Sequence, residues 1–125
     1  MNIPAELKYT KEHEWIKVDS GTIGITDFAQ DQLGDVVFIE YTAEPGEEVE
    51  AGQVIATIES VKTVSDIYAP MSGKIVSVNT SLDASPETVN SDPYGEGWLV
   101  NIEASDASQF EGLLTADTYK TQVES

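Results

Sequence analysis

Residues 53–78 carry the clearest structural pattern in the chain and read QVIATIESVKTVSDIYAPMSGKIVSV. This stretch predicts three strands, at Gln53–Glu59, Asp66–Ala69 and Lys74–Val78. Pro70-Met71-Ser72-Gly73 predicts a turn before the third strand. If the internal repeat described below is real, Ser60–Ser65 joins its two units and would be the tip of a β-hairpin, with Lys62 in its middle. We expect the tip to stand out from the body and to be a type I-like turn, because neither Val61 nor Lys62 favours a positive φ.

Shorter signals before and after this stretch predict more strands and a helix. Further strands are expected at Glu14–Val18, Thr22–Thr26, Val36–Tyr41 and Trp98–Ile102. The strand at Val36–Tyr41 should be partly covered on both faces, because it contains a run of four apolar residues. A short helix is expected to begin at an Asp27 N-cap and to end at Gly34, since glycine readily adopts the conformation that stops a helix.

The C-terminal third combines a long loop with helical signals. Residues 79–97 are rich in Asn, Ser, Asp, Pro and Gly and predict a loop. Two short helices should follow the last strand, one capped by Ser105 or Asp106 and reaching Leu113-Leu114, the other capped by Thr115 and running through Tyr119. We expect one domain over residues 1–125, with its core over about 7–104 and a helical segment over about 105–123.

A faint internal repeat connects these elements. Gly34–Glu40 is similar to Gly73–Asn79, Pro45–Val49 to Pro86–Val89, and Val54–Glu59 to Trp98–Glu103. Two similar β units in tandem predict a mainly β protein of two small antiparallel sheets related by a pseudo-twofold axis. A chance self-alignment, which is common in β-rich chains, is the alternative. If the repeat is real, Lys62 lies where the two units join.

The charge balance restricts the possible partners. The 125 residues include 23 acids against 6 lysines, for a net charge of −17 with the histidine neutral. Nucleic acid and anionic membranes are therefore not expected as partners, whereas proteins with basic surfaces are, and their attraction should weaken with salt. The lack of cysteine excludes disulfides and thiolate metal sites, and a single histidine excludes a His cluster. Without a visible secretory signal or membrane-spanning run, we expect a cytoplasmic protein of bacterial type.

Lys62 has three possible interpretations. It can be an ordinary surface lysine in a turn. It can be a Schiff-base catalyst, which would need a lowered pKa, although the neighbouring Glu59 and Asp66 act in the opposite direction. It can also be the attachment point of a prosthetic group, which needs an exposed amine that another enzyme acylates.

Four motifs resemble the glycine cleavage system H-protein family. They are the hairpin Glu59–Gly73, the N-terminal Tyr9–Trp15, the helix and strand Gly24–Val37, and the loop and strand Asn90–Leu99. The resemblance covers about residues 7 to 120 and implies a barrel-sandwich hybrid with a lipoyl-lysine hairpin. Lys62 matches the lipoylated lysine, with Glu59, Ser60, Val61 and Asp66 as its hairpin context.

The resemblance implies a carrier and not an enzyme. (R)-lipoate would be attached to Lys62 by an amide bond, made by a lipoate ligase or an octanoyl/lipoyl transferase, giving an arm of about 14 Å. The arm would take an aminomethyl group from glycine decarboxylase (P protein) and pass it to aminomethyltransferase (T protein). Dihydrolipoamide dehydrogenase (L protein) would reoxidise the dithiol. A carrier that visits several enzymes is expected to be a monomer.

The family also implies a cleft that shelters the loaded arm. The carried amine is cationic near neutral pH, so a carboxylate between apolar walls would hold it by a charge-assisted hydrogen bond. Glu14 matches the family position expected to face this amine, and Asp66 is a second candidate. Glu12 and His13 complete the expected cleft residues, with His13 interpreted as a packing or hydrogen-bonding residue.

Two other functions are consistent with parts of the pattern. One is a lipoyl shuttle that hands lipoate to other acceptors or serves a different lipoate-dependent pathway. The other is a β-sandwich interaction module in which Lys62 is never modified. Replacing Lys62 by arginine separates carriers from a module, because arginine keeps the charge but cannot form the amide.

Overall fold

Nine strands form two antiparallel sheets in the computed structural model, which describes residues 3–124. They are β1 Lys8–Tyr9, β2 Glu14–Lys17, β3 Thr22–Ile25, β4 Val36–Tyr41, β5 Glu48–Val49, β6 Val54–Ser60, β7 Val64–Tyr68, β8 Gly73–Val78 and β9 Val100–Ala104. The first sheet has the order β1-β2-β3-β9-β8-β5, and the second has the order β4-β6-β7. The prediction of a mainly β fold with two antiparallel sheets is confirmed, although one sheet is twice the size of the other. Residues 1, 2 and 125 of the predicted domain lie outside the described range.

Short helices connect the strands. They are α1 Asp27–Leu33, α2 Thr88–Ser91 and α3 Ala116–Glu124, with 3₁₀ helices at Thr80–Asp83 and Ala107–Gly112. The prediction of a loop over residues 79–97 is therefore wrong in part, since two helical turns form within it. The caps at Asp106 and Thr115 are confirmed: their side chains accept hydrogen bonds from the N–H groups of Ser108 (3.0 Å) and Thr118 (3.2 Å).

The strand pairing agrees with the repeat seen in the sequence. In the first unit β4 pairs with β6, and in the second unit β8 pairs with β9. Each unit also contributes a segment that binds the other unit. Val49 of β5, in the first unit, pairs with Gly73 of β8, in the second. Asn90 of α2, in the second unit, accepts a hydrogen bond from Val36 N–H of β4, in the first. These contacts therefore hold the two units together, and the hairpin β6–β7 connects them along the chain.

The core has a main part between the sheets and a smaller part under α3. In the main part, Ile58 of β6, Ile75 of β8 and Ile102 of β9 are buried together. In the smaller part, Tyr9 and Tyr119 stack with their ring centroids 4.7 Å apart. The segment before α3 also exchanges two backbone hydrogen bonds with β1, between Tyr9 and Leu114 (2.9 and 2.8 Å), along the outer edge of the six-stranded sheet.

Two local predictions are wrong. The N-cap of α1 is Thr26 and not Asp27, because the Thr26 hydroxyl accepts a hydrogen bond from Ala29 N–H (3.2 Å). The strand at Val36–Tyr41 is not covered on both faces, since a bulge between its first and third residues leaves Val37 and Phe38 exposed to 47% and 52%. Gly34 ends α1 as predicted, with φ 78°.

Some strand ends also differ from the prediction. β7 begins at Val64, two residues before the predicted Asp66, because the hairpin turn is tight. The last strand begins at Val100 instead of Trp98, because the Trp98 N–H closes a turn onto the Gly95 carbonyl (3.1 Å). The strands β1 and β5 were not predicted, since two residues are too few to show a period.

Candidate functional site

The tip of the β6–β7 hairpin presents Lys62 in a turn that the Ser60 side chain closes. Ser60 is buried, and its Oγ accepts hydrogen bonds from the N–H groups of Lys62 (3.2 Å) and Thr63 (3.1 Å). The Ser60 N–H donates to the Thr63 carbonyl (2.8 Å). No residue of this tip has a positive φ, so a type I′ turn is excluded, as predicted.

The tip packs against the connection between α1 and β4. Val61 N–H donates to the carbonyl of Asp35 (3.0 Å). The aliphatic part of Lys62 lies over Gly34, where an added Cβ would be 3.2 Å from the Lys62 Cε. The prediction of a tip that stands clear of the body is therefore wrong, because the Val61 N–H finds its acceptor on that body. The Lys62 side chain nevertheless remains exposed.

The side chain of Asn90, in α2, is hydrogen-bonded to the connection between α1 and β4 against which the tip packs. Its Nδ2 donates to the Gly34 carbonyl (2.8 Å) and to Gln30 Oε1 (3.2 Å). Its Oδ1 accepts from Val36 N–H (2.9 Å). Asn90 begins one of the four motifs found in the sequence, but the sequence does not predict its role here, since its partner Gly34 lies 56 residues earlier.

Glu14 of β2 is a buried carboxylate with two hydrogen-bond donors. One side-chain oxygen accepts from Thr10 Oγ1 (2.6 Å), and the other accepts from the N–H of Tyr68 in β7 (2.9 Å). Burial raises the pKa of Glu14 to about 7, and the two hydrogen bonds oppose this rise without cancelling it. The carboxyl group therefore changes charge near neutral pH, at a point where the N-terminal strands meet the hairpin.

Glu14 lines a cleft of about 460 Å³. This Glu14 cleft is lined by Tyr9, Thr10, Lys11, Glu12, Glu14, Ala51, Gly52, Tyr68, Ala69, Pro70, Gly112, Leu113 and Leu114. Its lining combines polar side chains from the N-terminal segment with apolar side chains such as Pro70 and Leu113, which form its apolar wall. Such a site suits a small ligand that has an apolar body and one polar or cationic end.

A second hollow of about 370 Å³ lies beside the hairpin tip. This tip groove is lined by Glu12, His13, Ile25, Phe28, Ala29, Gln32, Leu33, Thr63, Val64, Ser65 and Ile67. It begins next to Lys62, at Thr63, and shares Glu12 with the Glu14 cleft. The two hollows therefore adjoin at Glu12, and the tip groove reaches Thr63, the residue after Lys62.

His13 is fixed by α3 and α1. Its Nδ1 lies 2.9 Å from the Tyr119 hydroxyl, which also contacts the Thr26 hydroxyl at 2.6 Å. Its ring lies against Phe28, with centroids 4.7 Å apart, and burial lowers the pKa of His13. These contacts are those of a neutral, hydrogen-bonded side chain, and its φ of 69° turns the chain between Thr10 and β2.

Asp66 lies away from both hollows. It is exposed on β7 and accepts a hydrogen bond from Thr57 Oγ1 (3.3 Å). Glu59 is exposed on the same side of the sheet. The structure therefore brings Glu12 together with Glu14 in one hollow and with His13 in the other, and it places Asp66 on the outer surface of the hairpin.

Residues 3–124 contain neither a metal-binding cluster of side chains nor a membrane-spanning helix. No group of three or more His, Cys, Asp or Glu side chains in this range has a geometry that would hold a metal ion. None of the helices in the same range is both long enough and apolar enough to cross a bilayer.

Comparisons with known proteins point to one family. A family model described as glycine cleavage H-protein matches residues 7–125. The chain is 56% identical over 124 residues to the glycine cleavage system H protein of Halalkalibacterium halodurans, covering 98% of the chain and 96% of that protein. It is 56% identical over 120 residues to the same protein of Symbiobacterium thermophilum, covering 94% and 93%. The crystal structure of a glycine cleavage system H protein from Mycobacterium marinum superposes with a TM-score of 0.87 at 42% identity, covering 98% of this chain and 100% of that one.

Proposed function

The chain belongs to the glycine cleavage H-protein family, a family of lipoyl carriers of the glycine cleavage system, and from this premise we propose that Lys62 is its lipoyl attachment site. The observation that carries the proposal is the position of Lys62, exposed at the tip of a hairpin that Ser60 closes. An acylating enzyme needs free access to the amine and a backbone held in one conformation. Both conditions are met here, since the backbone on either side of Lys62 is hydrogen-bonded and its side chain is not buried.

The proposed cargo is the aminomethyl group of glycine. The lipoyl group supplies a disulfide that can accept this group together with two electrons. Glycine decarboxylase (P protein) would load the carrier, aminomethyltransferase (T protein) would unload it, and dihydrolipoamide dehydrogenase (L protein) would restore the disulfide. A lipoate ligase or an octanoyl/lipoyl transferase would modify Lys62. The chain itself contributes no thiol that could exchange with the dithiol, since it contains no cysteine.

The Glu14 cleft supports a sheltering role for this chain. An ionised Glu14 can accept a charge-assisted hydrogen bond from a cationic amine, and the lining then keeps a net negative charge, since Lys11 offsets only one of the two carboxylates. The apolar wall around Pro70 and Leu113 would keep water from the bound group. The tip groove, which begins beside Lys62 and adjoins this cleft at Glu12, supports the same role. We assign the amine to Glu14 and not to Asp66, because Asp66 lies on the outer surface.

Lipoylation of Lys62 can be tested by intact mass after incubation with lipoate, ATP and a lipoate ligase. The wild-type protein should gain one lipoyl group, and Lys62→Arg should gain none while unfolding at the same temperature. Lys74→Arg is the matched control, because Lys74 is an exposed lysine on β8 and should leave the reaction unchanged. A gain in mass on Lys62→Arg would refute the assignment.

The lipoylated protein can then be added to glycine decarboxylase. We expect glycine-dependent release of carbon dioxide that the Lys62→Arg protein does not support. Full lipoylation without such stimulation would favour a shuttle for another lipoate-dependent pathway. A folded protein that is never lipoylated would favour an interaction module.

A further inference from the structure

The solvent side of the three-stranded sheet combines apolar and acidic residues next to Lys62. Strand register aligns Phe38, Glu59 and Val64 in one row and Glu40, Thr57 and Asp66 in the next. We call these six residues the hairpin face. The rows between them carry inward residues such as Ile39 and Ile58, which are buried, so the hairpin face is the outer surface of this sheet.

The apolar part of this surface is concentrated near the tip. Phe38 is 52% exposed and Val64 is 59% exposed, although both are residues that usually pack inside proteins. Val37 and Val61, which precede Phe38 and Lys62 in the chain, are also exposed, to 47% and 66%. Clustered exposed apolar residues of this kind mark interaction surfaces, whereas single ones carry no such meaning.

The charged residues of the hairpin face are all acidic. Glu40, Glu59 and Asp66 supply three carboxylates, and the strands β4, β6 and β7 contain no lysine. A second copy of this chain would meet these carboxylates with its own, and an anionic membrane or a nucleic acid would likewise be repelled. The complementary surface therefore carries cations around an apolar area.

We propose that the hairpin face is the docking surface for a partner enzyme that presents an apolar depression bordered by lysine or arginine side chains. The inference rests on the proposed function, since an enzyme that receives a lipoyl arm of about 14 Å must come within that distance of Lys62. Phe38 and Val64 both pair with Glu59, which precedes Lys62 by three residues, about 10 Å of extended chain. An enzyme surface that takes in the arm from this side covers the hairpin face.

Matched substitutions on fully lipoylated protein test the apolar part. Phe38→Thr and Val37→Thr should each raise the KM of glycine decarboxylase, aminomethyltransferase or dihydrolipoamide dehydrogenase for the carrier, by about tenfold for Phe38→Thr, with kcat changed less than twofold. Val76→Thr is the control, because Val76 is 53% exposed on β8, in the other sheet. Its KM should equal that of the wild-type protein for all three enzymes.

The acidic part is tested by salt dependence. Glu40→Gln should raise the same KM by about threefold at low ionic strength, and the difference should vanish at high salt. Glu103→Gln, at an exposed position of β9, should have no such effect. The slope of log KM against log salt concentration should be smaller for Glu40→Gln than for Glu103→Gln.

Two results would overturn the inference. One is an unchanged KM for Phe38→Thr with every enzyme, on protein whose mass shows complete lipoylation. The other is a wild-type dimer in sedimentation that Phe38→Thr dissociates, which would make a second copy the occupant. Failure of the proposed function looks different, because it shows in the wild-type protein itself, either as absence of the lipoyl mass on Lys62 or as a lipoylated carrier that does not stimulate glycine decarboxylase.

Discussion

At the residue scale, Glu14 is a carboxyl group whose pKa the fold raises to near neutral pH. Its carboxyl is buried between Thr10 and the Tyr68 N–H, and its pKa rises from the ordinary 4.5 to about 7. The folded protein therefore holds a proton on Glu14 between these two values, where the unfolded chain has released it. Folding stability from this group is fully present below about pH 4.5 and is lost as the pH rises through about 7.

Glu14→Gln should remove this pH dependence. Urea unfolding at pH 5 and pH 8 should show that the wild-type protein loses about 2.5 kcal/mol more stability over this interval than Glu14→Gln does. Glu103→Gln is the control, because Glu103 is an exposed carboxylate on β9, and it should retain the wild-type difference. Equal pH dependence of the Glu14→Gln and wild-type proteins would contradict a raised pKa.

At the scale of elements, the end of α1 and the hairpin tip share one position, Gly34. This glycine has φ 78°, and a Cβ there would be 3.2 Å from the Lys62 Cε. Gly46 has φ 92° but has nothing within 4 Å of an added Cβ. The two glycines therefore have the same backbone requirement, but only the first has a contact with Lys62.

Gly34→Ala and Gly46→Ala should each lower the free energy of unfolding by about 1 kcal/mol, since alanine is strained at positive φ. Only Gly34→Ala should also change the rate of lipoylation, because the added methyl group displaces the lysine stem. Chemical unfolding and ligase kinetics on both variants measure the two effects separately. A similar change of ligase kinetics in Gly46→Ala would show that lost stability is the cause, and not the contact.

The same elements show how far sequence reasoning reaches. Strands of four or more residues were predicted because their apolar alternation is visible locally, whereas the two-residue β1 and β5 depend on pairing with distant strands. Lys62 and Glu14 were singled out from motifs. Asn90 and Tyr119 were missed as site residues, because their roles arise from contacts with Gly34 and His13 that only the folded chain creates.

At the scale of the whole molecule, the net charge of −17 opposes the compact state. Salt screens this repulsion, so the melting temperature at pH 7 should rise between about 10 mM and about 300 mM sodium chloride, over which the Debye length falls from about 30 Å to below 8 Å. Near pH 4, close to the sequence pI of about 4.1, the rise should be much smaller. A melting temperature that falls with salt at pH 7 would mean that attractive charge pairs outweigh the repulsion.

The six-stranded sheet ends on both sides in strands that offer little backbone for pairing. β1 is covered by the two hydrogen bonds between Tyr9 and Leu114, and β5 has two residues. At this sheet, another chain therefore finds no long row of free N–H and C=O groups at which to add a strand, which limits edge-to-edge polymerisation through it. The same edges prevent a partner from binding this sheet by adding a strand to it. An enzyme that binds the sheet must therefore recognise the carrier by its side chains.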